Sequence, residues 1–65
     1  MTQDQKRGKL LYRLSSAQTH LDEAAYWIKK IYHDNPDITR HADEAFGAAL
    51  MIAEWIKEIK KEMAA

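Results

Sequence analysis

A chain of 65 residues that is 46% hydrophobic and 31% charged, with no cysteine, is one small domain without a disulfide or thiolate metal site to hold it together. At this length only about 60% of the unfolded surface is buried, so a lone packed monomer is marginal and self-association is expected. Ten Lys+Arg balance ten Asp+Glu, which excludes polyanion binding by net charge alone. No apolar run nears the ~18 residues of a membrane span, and the polar, basic start lacks a secretory apolar region, so a cytoplasmic protein is expected.

The chain has no valine, ten alanines and two glycines, a composition that leans towards helix. Thr2 and Gln5 have the spacing of a capping box, and Gly8 costs ~1 kcal/mol inside a helix. From there Leu10, Leu14, Ala17, Leu21, Ala24, Ile28 and Ile31 alternate steps of four and three, an unbroken heptad seam. This predicts a first helix over about 3–33.

His33-Asp34-Asn35-Pro36-Asp37 interrupts the pattern. Proline holds the residue before it extended and suits the first position of a helix, so Asn35 is the expected N-cap and about 34–36 the turn. Asp37 favours the positive end of the second helix. Ile38, Ala42, Ala45, Ala49, Ile52, Ile56, Ile59 and Met63 then repeat the four-three alternation, predicting a helix over about 37–63.

Two nearly equal helices on so short a turn form an all-α antiparallel hairpin of roughly 35–40 Å at ~1.5 Å per residue. A lone hairpin leaves half of each seam wet. Pairing into a dimeric four-helix bundle or higher oligomer covers both, with Leu14, Leu21, Ile28, Ala45, Ala49, Ile52 and Ile56 as the expected interface. Ala42, Ala45, Ala48 and Ala49 let the second helix approach a neighbour closely.

Charge is segregated. Residues 1 to 33 carry six basic and three acidic side chains, residues 34 to 65 four and seven, so each half can attract the other. Apolar surface exceeds what the seams use. Leu11, Ala25 and Tyr32 lie on one flank of the first seam and Trp27 on the other, with Tyr12 and Tyr26 outside. Phe46 and Trp55 flank the second seam, and Leu50 and Met51 fall on its solvent side. Such a surplus either widens a bundle core or marks a partner or ligand surface. Lys9, Tyr12, Arg13 and Ser16 lie on adjacent turns outside the seam and form a candidate ligand site, with tyrosine to stack and cations to pair with phosphate.

His20-Leu21-Asp22-Glu23 recurs three heptads later as His41-Ala42-Asp43-Glu44. His-x-x-Glu sets imidazole and carboxylate on adjacent turns, but di-iron bundles place Glu before His and point further Glu inward. No metal is expected, and a local His–Glu contact is. With no cysteine nucleophile, no glycine-rich phosphate loop and no base paired to Ser15 or Ser16, neither enzymatic activity nor a cofactor is expected.

Thr19-His20-Leu21-Asp22-Glu23-Ala24-Ala25-Tyr26-Trp27 resembles the Thr-(His/Lys)-Leu-Glu-Glu-Ala-x-x-Trp stretch of a phage helical-hairpin family. That family includes sponges that sequester the cyclic nucleotide messengers of bacterial CBASS and Thoeris defence. Tyr12-Arg13-Leu14-Ser15 is similar to a Tyr-Arg-x-Leu-Ser element whose tyrosine contacts ligand in the anti-CBASS members. The family carries the longer stretch in its last helix and this chain in its first, so only Tyr12 and Arg13 carry over. The resemblance implies a non-enzymatic oligomer in the host cytoplasm that traps a cyclic nucleotide or ADP-ribose-type messenger, or caps a host protein, to block anti-phage defence.

Met1, Thr2, Lys6, Arg13, Gln18 and Thr19 also match the Rop family of plasmid copy-number regulators, dimeric hairpin bundles that bind paired RNA loops. That resemblance implies the alternative, a nucleic-acid regulator using Lys6, Arg7, Lys9 and Arg13. Of the positions that face RNA in that family, only Gln18 keeps its residue type.

Overall fold

The computed structural model describes residues 1–64, which form two helices, α1 (Gln3–Ile31) and α2 (Pro36–Ala64), packed antiparallel. The expected local signals set both starts. Thr2 Oγ1 accepts from the Gln5 backbone N–H at 3.2 Å, and Gln5 Oε1 accepts from the Thr2 N–H at 2.8 Å, closing the capping box. Asn35 Oδ1 accepts from the N–H groups of Asp37 (3.2 Å) and Ile38 (3.4 Å), capping α2 behind Pro36. The chain reverses between them, where the Tyr32 N–H donates to Ile28 O and the Asn35 N–H to Tyr32 O, both at 2.9 Å. Helix α1 stops two residues short of the expected boundary, and α2 takes in Pro36.

The Cα atoms fill a slab 49 × 18 × 11 Å, longer than the expected length of roughly 35–40 Å, since a 29-residue helix at ~1.5 Å per residue already spans ~44 Å and the turn and first residues extend it. The slab is one helix thick, so each helix has a single neighbour. Among the described residues only Ala25, Ala42, Ala49 and Ile52 are buried, and no large side chain is fully enclosed. Three of the four are alanines, so the helices meet by close backbone approach and not by interdigitating large side chains.

In α2 the expected seam faces α1, with Ala45, Ile56 and Ile59 half-buried beside the buried residues and only Met63 exposed. In α1 the seam is rotated. Leu14, Leu21 and Ile28 keep their place, but Leu11, Gln18 and Ala25 complete the covered stripe. Leu10, Ala24 and Ile31, expected in the seam, are exposed, and Ala17 is half-buried. The cause is that apolar residues occupy three adjacent stripes of α1, so two rotations about its axis each bury a pair of them. Ala25, with nothing beyond Cβ, admits α2 most closely. On the same side Lys29 Nζ reaches Asp43 Oδ1 at 3.6 Å and lies 5.2 Å from the centroid of the Phe46 ring. The seven residues expected at an interface between chains thus line the seam within one hairpin.

Two predictions follow from this packing. Gly8 and Gly47 lie in helix with negative φ, and a Cβ built on either meets nothing within 4 Å. Gly8→Ala and Gly47→Ala should each stabilise the fold by about 0.5–1 kcal/mol, read as a higher Tm at fixed protein concentration. Ala49→Leu should instead cost about 1–3 kcal/mol by overpacking the seam, and an unchanged Tm would rule out close alanine-mediated contact.

Candidate functional site

The outward face of α1 carries a shallow groove of about 200 Å³ lined by Tyr12, Ser15, Ser16, Thr19 and His20. Helical spacing explains it. Tyr12, Ser16 and His20 follow one another at i, i+4 and i+8, and Ser15 and Thr19 form a parallel pair beside them. Tyr12 and His20 stand two turns, about 12 Å, apart along the helix axis, with the three short hydroxyl side chains between them. Thr19 Oγ1 donates to the Ser15 carbonyl at 3.2 Å, which fixes that hydroxyl against the helix and leaves its lone pairs outward. Every lining residue comes from α1, so the groove is open on its solvent side.

Of the four expected ligand residues, Tyr12 and Ser16 line the groove. Lys9 and Arg13 do not. Lys9 lies one turn before Tyr12 and Arg13 and is exposed, within reach of an anion held over the floor. Arg13 neighbours Leu10 and Ala17 by spacing and belongs to the edge of the exposed apolar stripe. Sequence reasoning passed over Ser15, Thr19 and His20. The signal for them was the run of small hydroxyl residues one turn apart, framed by two rings.

A second polar-aromatic cluster lies nearer the turn. Tyr26 and Trp27 meet edge to face with centroids 5.3 Å apart, and Lys30 Nζ sits 5.4 and 5.5 Å from the two rings, 3.2 Å from the Tyr26 hydroxyl. The Lys30 cation lies over both rings, and Tyr26 and Trp27 each stay more than half exposed. The His-x-x-Glu echo divides: His41 Nδ1 lies 3.1 Å from Glu44 Oε1, the local contact expected, whereas His20 serves as a wall of the groove. No group of three His, Asp or Glu that could hold a metal ion occurs among the described residues.

Arg7, one of the four cations a nucleic-acid face would use, is half-buried and pairs with Asp4 at 3.4 Å. Gln18 is half-buried in the covered stripe of α1. No helix among the described residues is long and apolar enough to cross a membrane. The chain matches no protein-family model, no curated protein and no solved structure.

Proposed function

We propose that the protein works by binding, as an oligomeric helical hairpin that takes a planar, anionic ligand of the nucleotide class into the Tyr12–His20 groove. The single observation that carries this reading is the groove itself: aromatic walls for stacking, a hydroxyl floor for hydrogen bonding and Lys9 beside it for a phosphate. Sequestration of a signalling nucleotide is the use that the resemblance to phage hairpin sponges implies, and it makes the protein an inhibitor of host defence. Stacking contributes ~1–3 kcal/mol per base, a useful share of the ~8 kcal/mol of a micromolar complex. A regulator of RNA is the less favoured reading, because Gln18 and Arg7 are turned into the hairpin and its own contacts.

Titration calorimetry against a panel of cyclic dinucleotides and ADP-ribose-type messengers tests the proposal. Wild-type protein should take up at least one. Tyr12→Ala should weaken that binding about tenfold or more, and Ser16→Leu, which fills the floor, should do the same with helicity unchanged. No heat from any member of the panel removes the reading. Affinity that instead falls steeply with salt on RNA, with a slope of several phosphates, favours the nucleic-acid alternative.

A further inference from the structure

Leu10, Trp27 and Ile31 of α1 and Met51 and Trp55 of α2 are 46, 53, 62, 57 and 45% exposed, and the pairing of the helices puts them on one side of the slab. Lys29 of α1 lies level with Asp43 and Phe46 of α2 and closes one side of the seam. The stripe Leu10, Ala17, Ala24, Ile31 therefore borders the opposite side, and there the same register sets Ala24 level with Ala48 and Ala17 level with Trp55. One broad face of the hairpin is thus apolar and unpartnered, with two tryptophans standing beside a floor of alanines.

We infer that this face is covered by a second copy of the chain, related by a twofold axis parallel to the helices, so that α1 packs on the partner's α2 and both turns lie at the same end. The inference specifies the oligomeric part of the proposed function and does not depend on the groove.

Area argues for a partner of this size. A compact monomer of 7.6 kDa exposes about 4,300 Å². This chain exposes 5208 Å², and the surplus of about 900 Å² matches the ~800 Å² each partner contributes to a standard interface. Shape argues for a copy of itself. In the stated orientation Trp55 meets Ala17 of the second copy, and Trp27 meets its Ala48 edge, so each large ring faces a small residue.

Charge selects the orientation. Lys6 and Arg13 edge the apolar face on α1, and Glu44, Glu58 and Glu62 edge it on α2. The stated orientation sets Arg13 beside the second copy's Glu58, and Lys6 beside its Glu62. The other twofold arrangement, with turns at opposite ends, stacks α1 antiparallel on α1, which sets Lys6 and Arg13 against the turn-proximal half of the second α1, where no acidic residue edges the apolar face. Within one hairpin Lys29–Asp43 is the only ion pair between the helices among the described residues. The segregated charge is therefore left to act between chains.

The chain has no cysteine, so Asp34→Cys carries a unique spin label at the turn. Sedimentation equilibrium of the full chain should give twice 7.6 kDa, and dipolar spectroscopy of the labelled dimer a separation well under half the 49 Å length of the hairpin. A dimer with the labels near 49 Å apart overturns the orientation, and a folded monomer overturns the interface. Ala24→Glu, at a position exposed in the hairpin, should return the mass to that of one chain. Because a released hairpin is only marginally stable, a second pair of variants guards the test: Arg13→Glu and Glu58→Arg should each raise the dimer Kd several-fold, and the double variant should restore it. A double variant no tighter than the singles overturns the pairing of α1 with α2. A dimer with close turns that takes up no nucleotide leaves this inference standing and removes the groove reading alone.

Discussion

Close approach of α1 and α2 across Ala25, Ala42 and Ala49 is the constraint on which the rest of the molecule depends. Alanine brings the two backbones together but has little area of its own to remove from water. The hairpin therefore gains geometry at its seam and little hydrophobic stabilisation. Ile52 is the only larger buried residue among those described, and at about 25 cal/mol per Å² such a seam cannot by itself offset the ordering of some sixty residues. Apolar area that a globular domain would bury inside itself lies instead on its flanks.

That trade explains which parts of the fold were legible in the sequence. The caps were, because a Thr-x-x-Gln box and an Asn-Pro pair act through their own backbone neighbours and need no tertiary contact. The α2 seam was, because its isoleucines and alanines recur at four-three spacing in one continuous stripe. The α1 seam was misplaced by one stripe, since Leu10, Ala17, Ala24 and Ile31 satisfy the heptad as well as Leu11, Gln18, Ala25 and Tyr32 do. Periodicity fixes the period of a face but not which of two adjacent faces the neighbour takes. The partner decides that, through Lys29 and the short turn.

The candidate groove was half legible for a related reason. Tyr12 and Ser16 stand out as an aromatic and a small polar residue one turn apart near cations, whereas nothing in the spacing of Ser15 and Thr19 marks a ligand and His20 is expected to contact Glu23. A groove on a single helix is made by what is missing between two bulky walls. Sequence patterns built on apolar recurrence do not register absence. The same logic separates Arg13 from the groove: four residues on adjacent turns share a patch, but the helix surface curves by 100° per residue, and Arg13 is carried round to the apolar edge.

Helix α1 thus presents three strips on its circumference, the seam on one third, the hydroxyl groove on another and the alanine stripe on the last. His20 sits where the groove and the stripe adjoin, one turn from Ala17 and Ala24 and yet a wall of the groove. A second copy laid on the stripe sets its Met51 level with His20. An apolar neighbour at the open side of the groove would lower the local dielectric around Ser16 and strengthen any hydrogen bond a ligand makes there. Ligand uptake and self-association would accordingly favour each other by the same factor, since a coupling free energy between two binding events is reciprocal.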